Sequence, residues 1–206
     1  MYRLLKRVVI SGHPGTGTTT LVDKLVLLYN LKPEQKIKVG DLFRENSKEK
    51  LGHDISGYYQ REITEDLSID NMQKELLSDS NPKVLYILES RLGGFFAQEV
   101  RDNVPPIVTV LLTTDDQVRF KRVFERDKAK NSDLNFEKYC QETKQREQND
   151  LAQWQQIHPS IITNPLDPAN ASLYDIHVDN TNLDINQTVE AINSKLLELG
   201  AVEKTN

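Results

Sequence analysis

Gly12-His13-Pro14-Gly15-Thr16-Gly17-Thr18-Thr19-Thr20 stands between an apolar run, Arg7-Val8-Val9-Ile10-Ser11, and a helical pattern, Leu21-Val22-Asp23-Lys24-Leu25-Val26-Leu27-Leu28. Strand, glycine-rich loop and helix, in that order, form the context that a phosphate-binding loop requires. Gly12 and Gly17 occupy the two glycine positions of GxxxxG, and Gly15 adds a third. Glycine lets successive backbone N–H groups turn inward around an anion. The start of the next helix adds its dipole and its unpaired donors. Thr18 stands where such a loop carries lysine, while the hydroxyl expected on Mg²⁺ is present as Thr19.

Working outward, the helix after the loop runs from about Thr18 to Tyr29, with Leu21, Leu25 and Leu28 on one face. Ile37-Lys38-Val39 reads as a second strand, and Gly40-Asp41-Leu42-Phe43-Arg44 opens a helix through Lys50. The segment Ile55 to Leu77 is helical in pieces, with Asp66 and Asp70 in the linking region. Lys83 to Leu88 and Ile107 to Leu112 read as strands buried on both faces. Thr114-Asp115-Asp116 caps a helix that carries Val118, Val123 and Phe124, and a long helix follows from Asn135 to Ile157. Leu173 to Val178 is a last strand, Ile185 to Leu199 a last helix, and the residues beyond Gly200 are expected to fray. Apolar strands alternating with helices give an α/β fold with a parallel sheet. Ligands in such sheets bind at the carboxyl ends of the strands.

The chain of 206 residues suits one domain with a sizeable core, here residues 1–206 without a repeat or boundary. A net charge of −5 argues against nucleic-acid and anionic-membrane partners. A single cysteine, Cys140, excludes an internal disulfide, and no run reads as a signal peptide or a membrane span. The expectation is a cytoplasmic monomer that acts on small molecules. Cys140 reads as a half-buried small residue in a helix, and His53, His158, His177 and Trp154 read as structural.

Several further stretches, in their order and spacing, carry a resemblance. They are Gly40-Asp41-Leu42-Phe43-Arg44, Glu89-Ser90-Arg91-Leu92-Gly93, Val118-Arg119 through Arg122 to Arg126, Arg146-Glu147 with Asp150, and Tyr174-Asp175 leading to Val178-Asp179-Asn180-Thr181. Together with the loop, they resemble the nucleoside-monophosphate kinases, most closely the archaeal-type cytidylate kinases. In that group threonine in the lysine position is an ordinary variant. Ser90, His13 and Gln153 depart from the pattern, and an arginine commonly stands at the last of these.

The resemblance implies a P-loop kinase that uses ATP and Mg²⁺ to phosphorylate CMP or dCMP. An acceptor-binding segment would lie at about 41–80 and a small lid at about 119–135. The alternatives are a P-loop kinase for another small acceptor and a nucleotide-binding chain whose catalysis has decayed.

Phosphoryl transfer needs two phosphate-bearing substrates held in line and donors on the developing charge. The loop from Gly12 to Thr20 is therefore expected to hold ATP, with Thr19 on the metal. Arg119, Arg122 and Arg126 recur at helical spacing and share a face beside a polar segment, Lys128 to Asp133, as a lid over phosphates would. Arg119 is assigned to ATP, and Arg122, Arg126 and Arg91 to the reacting phosphates. Asp41, Arg44 and Arg91, which follow strands on the ligand edge, are assigned to the acceptor, and the resemblance implies the same for Arg146 and Asp150, whose spacing alone reads as a surface ion pair. Glu89 ends a buried strand beside the phosphate site, where it could hold a Mg²⁺ water or pair with an arginine. Asp66, Asp70, Asn71 and Gln73 lie in the acceptor segment and read as solvated.

Overall fold

A computed structural model describes residues 2–42, 63–129 and 134–205. In chain order its elements are β1 (Tyr2–Leu4), β2 (Arg7–Gly12), α1 (Thr18–Leu28), β3 (Lys36–Lys38), α2 (Ile63–Leu77), β4 (Ile87–Glu89), α3 (Gly93–Val100), β5 (Ile107–Thr113), α4 (Asp116–Lys128), α5 (Phe136–Ile157), β6 (Ile176–Asp179), α6 (Ile185–Glu198) and β7 (Val202–Lys204). A short helical stretch at 39–42 begins the helix expected after β3. Positions 43–50 of that expectation, Arg44 among them, His53, positions 55–62 of the expected helical pieces and positions 130–133 of the expected lid lie outside the described residues.

Five strands form a parallel sheet in the order β3-β4-β2-β5-β6. Every residue of β2 and β5 is buried, which is why both sequences are mostly apolar rather than alternating. Alternate residues feed opposite layers. Val8 and Ile10 pack with α1 and α6 through Leu21, Leu25 and Ile192. Val9 faces Leu88, Phe96, Leu111 and Trp154 on the side of α2, α3 and the end of α5. The chain leaves β2 for β3 on one flank and reaches β5 on the other. The carboxyl end of β2 is therefore the switch point, and the glycine loop starts there.

The structure corrects four details. First, β4 begins at Ile87 rather than Lys83. Arg7, fully buried, donates from Nε to the Val84 carbonyl at 3.0 Å, and Gln35 donates to the Leu85 carbonyl at 3.0 Å. Side chains thus take carbonyls that a longer ladder would use. Second, Ile63–Leu77 is one helix that runs through Asp66 and Asp70, which are not a linking region between helical pieces. Third, β6 starts at Ile176, because residues Pro168–Leu173 form 3₁₀ turns. Fourth, the chain beyond Gly200 is not frayed: β7 pairs antiparallel with β1, Leu4 opposite Val202.

Candidate active site

The phosphate loop is built by two glycines that no other residue replaces cheaply. Gly15 has φ +87°, and a Cβ there would lie 2.4 Å from the Arg119 carbonyl oxygen of α4. Gly17 has φ +91° and caps α1 with no side chain bonded to the helix end, and nothing stands within 4 Å of where its Cβ would be. Among the described residues no side chain caps the start of α1, the kind of helix end at which anions bind. Thr16 is buried and donates to the His13 carbonyl at 2.8 Å, closing the loop on itself. Asn180, beyond β6, donates to the Thr16 carbonyl at 2.8 Å from the other side.

Thr18 and Thr19 both donate to one oxygen of Glu89, at 2.7 and 2.6 Å. Oxygen donors therefore converge beside the loop where Mg²⁺ is expected, and an all-oxygen set suits a hard cation. No group of three or more His, Cys, Asp or Glu able to hold a metal occurs among the described residues. A divalent ion here would complete its shell with phosphate oxygens and water, as Mg²⁺ does in kinase sites. The residues present fit that ion.

The loop opens into a cavity of about 510 Å³. It is lined by Gly12, His13, Pro14, Gly15 and Gly17 to Thr20, by Glu89 to Leu92, by Arg122 and Arg126 of α4, and by Arg146, Asp150 and Trp154 of α5. The cavity thus gathers Arg91, Arg122, Arg126, Arg146 and Asp150 around the loop. Arg91 pairs with Asp150 at 2.5 Å and lies over the Trp154 ring at 4.8 Å. Arg146 approaches the same carboxylate at 4.0 Å. Arg126 pairs with Asp127 at 2.9 Å, and the Tyr139 hydroxyl also donates to that carboxylate, at 2.6 Å. Arg122 differs. Among the described residues its guanidinium reaches only the side-chain and backbone oxygens of Asn180, both at 3.4 Å, and forms no ion pair. Asp41 sits on the helical stretch after β3 but does not line the cavity.

Arg119 does not join Arg122 and Arg126. It is 4% exposed, bound by Asp116 at 2.7 Å and by Glu147 at 2.5 and 2.8 Å. It borders a second cavity, of about 540 Å³, on the other flank of the loop. Glu147 also faces His13 Nδ1 at 3.5 Å. Burial pushes the Glu147 carboxyl up, but hydrogen bonds and charge from His13 and Arg119 overcome this and hold it at about 2. The face shared by the three arginines thus divides, because Asp116 and Glu147 capture the first of them.

Asp66, Asp70 and Gln73 are buried, not solvated, and line the main cavity. Asn71 alone of that group is exposed. Glu147 binds Arg119, His158 meets Asp70, and Asn180, which the resemblance places in a segment beside the donor's adenine, bonds the loop at Thr16. A signal was available in α5. Tyr139, Thr143, Glu147, Asp150 and Trp154 recur at spacings of three or four, a polar stripe along one helix face.

Among the described residues, no helix is long and apolar enough to cross a membrane. A family model described as an AAA domain matches residues 8–155. The cytidylate kinase of Methanosarcina barkeri is 30% identical over 175 residues, which cover 84% of this chain and 86% of the relative. That of Methanosarcina acetivorans is 28% identical over 188 residues, covering 90% and 93%. A gluconokinase from Sinorhizobium meliloti 1021 superposes with a TM-score of 0.60 at 13% identity, over 96% of this chain and 94% of its own, a likeness of fold alone. A phosphate loop at the switch point of a parallel sheet, and relatives of one kind aligned along nearly the whole chain, lead to the same place: the protein belongs to the cytidylate kinase family of P-loop kinases.

Proposed function

We propose that the protein transfers the γ-phosphoryl group of ATP to CMP or dCMP, acting on free nucleotides as a cytoplasmic monomer without nucleic-acid or membrane partners. The kinase reading is carried by one observation. The glycine loop and an arginine without a carboxylate partner among the described residues, Arg122, line one cavity. Such an enzyme forms a bond from an acceptor phosphate oxygen to the γ-phosphorus as the bond from that phosphorus to the β–γ bridging oxygen breaks and ADP leaves, and the protein's task is to position both substrates and offset charge. The residues from Gly12 to Thr20 hold the donor phosphates through backbone N–H groups. Thr19, with Glu89 behind it, would hold Mg²⁺, which would supply charge neutralisation on the phosphate oxygens. Arg122 stands in for the lysine absent at Thr18, and Arg126 joins it when the helix α4 side closes.

Arg91 and Arg146, kept in place by Asp150, grip the acceptor phosphate, a task suited to the planar guanidinium fork. Asp41 and Arg44 belong to the acceptor segment at about 41–80. Arg119 serves the donor side indirectly. Its Nη1 lies 3.5 Å from the Pro14 carbonyl oxygen, and its carboxylate partner Glu147 faces His13. The domain is one P-loop unit over residues 1–206 with a lid at about 119–135.

A coupled ADP-release assay over CMP, dCMP, UMP, AMP and shikimate tests the reading. The expected result is turnover with CMP or dCMP above all other acceptors. ATP binding without turnover of any acceptor would contradict it, and so would preference for AMP or shikimate.

A further inference from the structure

We propose that Lys38 is a phosphate-binding residue of the main cavity, one that exchanges its partner Asp23 for a substrate phosphate. The proposal rests on the cavity being the site of a nucleotide kinase. Among the described residues that line the cavity, Lys38 is the one lysine. It ends β3, an edge strand of the sheet. Lysine at a sheet edge ordinarily keeps its ammonium in water and guards the edge. Lys36, two residues earlier, fits that description with a side chain 37% exposed. Lys38 does not: its side chain is 11% exposed, and Asp23, the carboxylate it meets at 2.7 Å, is 46% exposed. The cation is the inner member of the pair, on the cavity side.

The sheet register fixes what lies beside it. Ile10 of β2 pairs with Glu89 of β4, and Glu89 pairs with Lys38 of β3. Partners in a ladder share a face, so the three side chains form one row across the sheet. Ile10 belongs to the layer of α1, and α1 lies over the row. Thr19 of α1 donates to Glu89 at 2.6 Å, and Asp23, four residues on, takes Lys38. Positions i and i+4 share a helix face, so these are successive rungs of one contact between α1 and the sheet. One helical turn is about 5.4 Å. A shift of that length toward the start of α1 carries the ammonium from Asp23 to the oxygens around Thr19 and Glu89, at the edge of the phosphate loop.

The exchange costs little. Asp23 retains Lys36, whose ammonium lies 3.4 Å away. Burial pushes the Asp23 carboxyl up, but the hydrogen bond and charge of Lys38, ahead of those of Lys36, hold it below the ordinary carboxylate value. An ion pair with so exposed a carboxylate contributes little to stability. A phosphate offers several charged oxygens inside the cavity, and the lysine stem is flexible enough to follow them. Arg122 approaches from α4, after β5, and Lys38 from β3, on the opposite flank of β2. Lys38 thus serves the side of the loop that Arg122 does not.

Calorimetric binding of ATP and of CMP, titrated separately, tests this on the wild type and on Lys38→Met, Lys36→Met and Asp23→Asn. Lys38→Met is expected to weaken binding of one nucleotide at least about tenfold, and the nucleotide affected identifies the phosphate as the donor's or the acceptor's. Lys36→Met makes the same change of net charge beside the same carboxylate, and is expected to stay within about twofold of wild type. Asp23→Asn releases Lys38, so it is expected to bind that nucleotide at least as tightly as wild type. Unmoved affinities for both nucleotides in folded Lys38→Met would overturn the proposal, as would equal losses in Lys38→Met and Lys36→Met. Weaker binding by Asp23→Asn would overturn it too, making the pair a structural clasp, and that result does not require Lys38→Met to fold. Loss of affinity in Lys38→Met, in a protein that turns over no acceptor, would support Lys38 while sinking the kinase reading. Wild-type turnover of CMP with unchanged binding in Lys38→Met would do the reverse.

Discussion

Glu147 joins three parts of the molecule through one carboxylate. It binds Arg119 of α4 and faces His13 of the loop from its own place on α5. Its folded-state pKa, about 2, lies below the ordinary 4.5. A depressed carboxyl pKa contributes stability that is complete above the unfolded value and is lost as pH falls through the folded one. The contribution should therefore be whole above pH 4.5 and vanish toward pH 2, and the shift corresponds to on the order of 3 kcal/mol at neutral pH. Glu147→Gln is expected to lower stability to urea at pH 7 while differing little from wild type near pH 2.5. A gap of the same size at both pH values would refute the linkage. At this same scale Arg119 is drawn away from the main cavity by Asp116 and Glu147. Helical spacing places Arg119 with Arg122 and Arg126, but its fate is set by a carboxylate on another helix, which no local pattern reveals.

At the scale of elements, the loop is shaped by what packs behind it as much as by its own glycines. A methyl group at Gly15 would meet the Arg119 carbonyl oxygen at 2.4 Å and Val123 at 2.6 Å, so the loop and α4 could not keep their contact. At Gly17 the same methyl would meet nothing, and only the positive φ would oppose it. Gly15→Ala is therefore expected to destabilise by several kcal/mol, and Gly17→Ala by about 1 kcal/mol. Urea denaturation of the two variants measures this, and equal losses would show that α4 does not brace the loop.

The same scale explains what could be read in advance. β2, β5, α1 and α5 announce themselves through continuous apolar runs or 3.6-residue periodicity. β1 and β7 are three residues each and pair across nearly the whole chain, so neither carries a local signature. The burial of Asp66, Asp70 and Gln73 was hidden by their polarity. Their shared helix face was visible once α2 was treated as continuous through Asp66 and Asp70 rather than broken there.

Across the whole molecule, charge and support are distributed rather than gathered in the loop. Thr18, in the position of the loop lysine, gives its hydroxyl to Glu89. Arg91, Arg126 and Arg146 each face a carboxylate, Asp150 or Asp127. Arg122 lies against Asn180, whose side chain also grips the loop at the Thr16 carbonyl. One residue beyond β6 thus ties the phosphate loop to the arginine of α4. The central claim is that this arginine supplies the positive charge missing at position 18. The most direct measurement is kcat of Arg122→Ala against wild type with saturating ATP and CMP. The expected result is a fall of at least about tenfold with a smaller change in ATP affinity, because the guanidinium acts mainly as charge develops in the transition state. An unchanged kcat would contradict the claim and return Arg122 to a purely structural contact with Asn180.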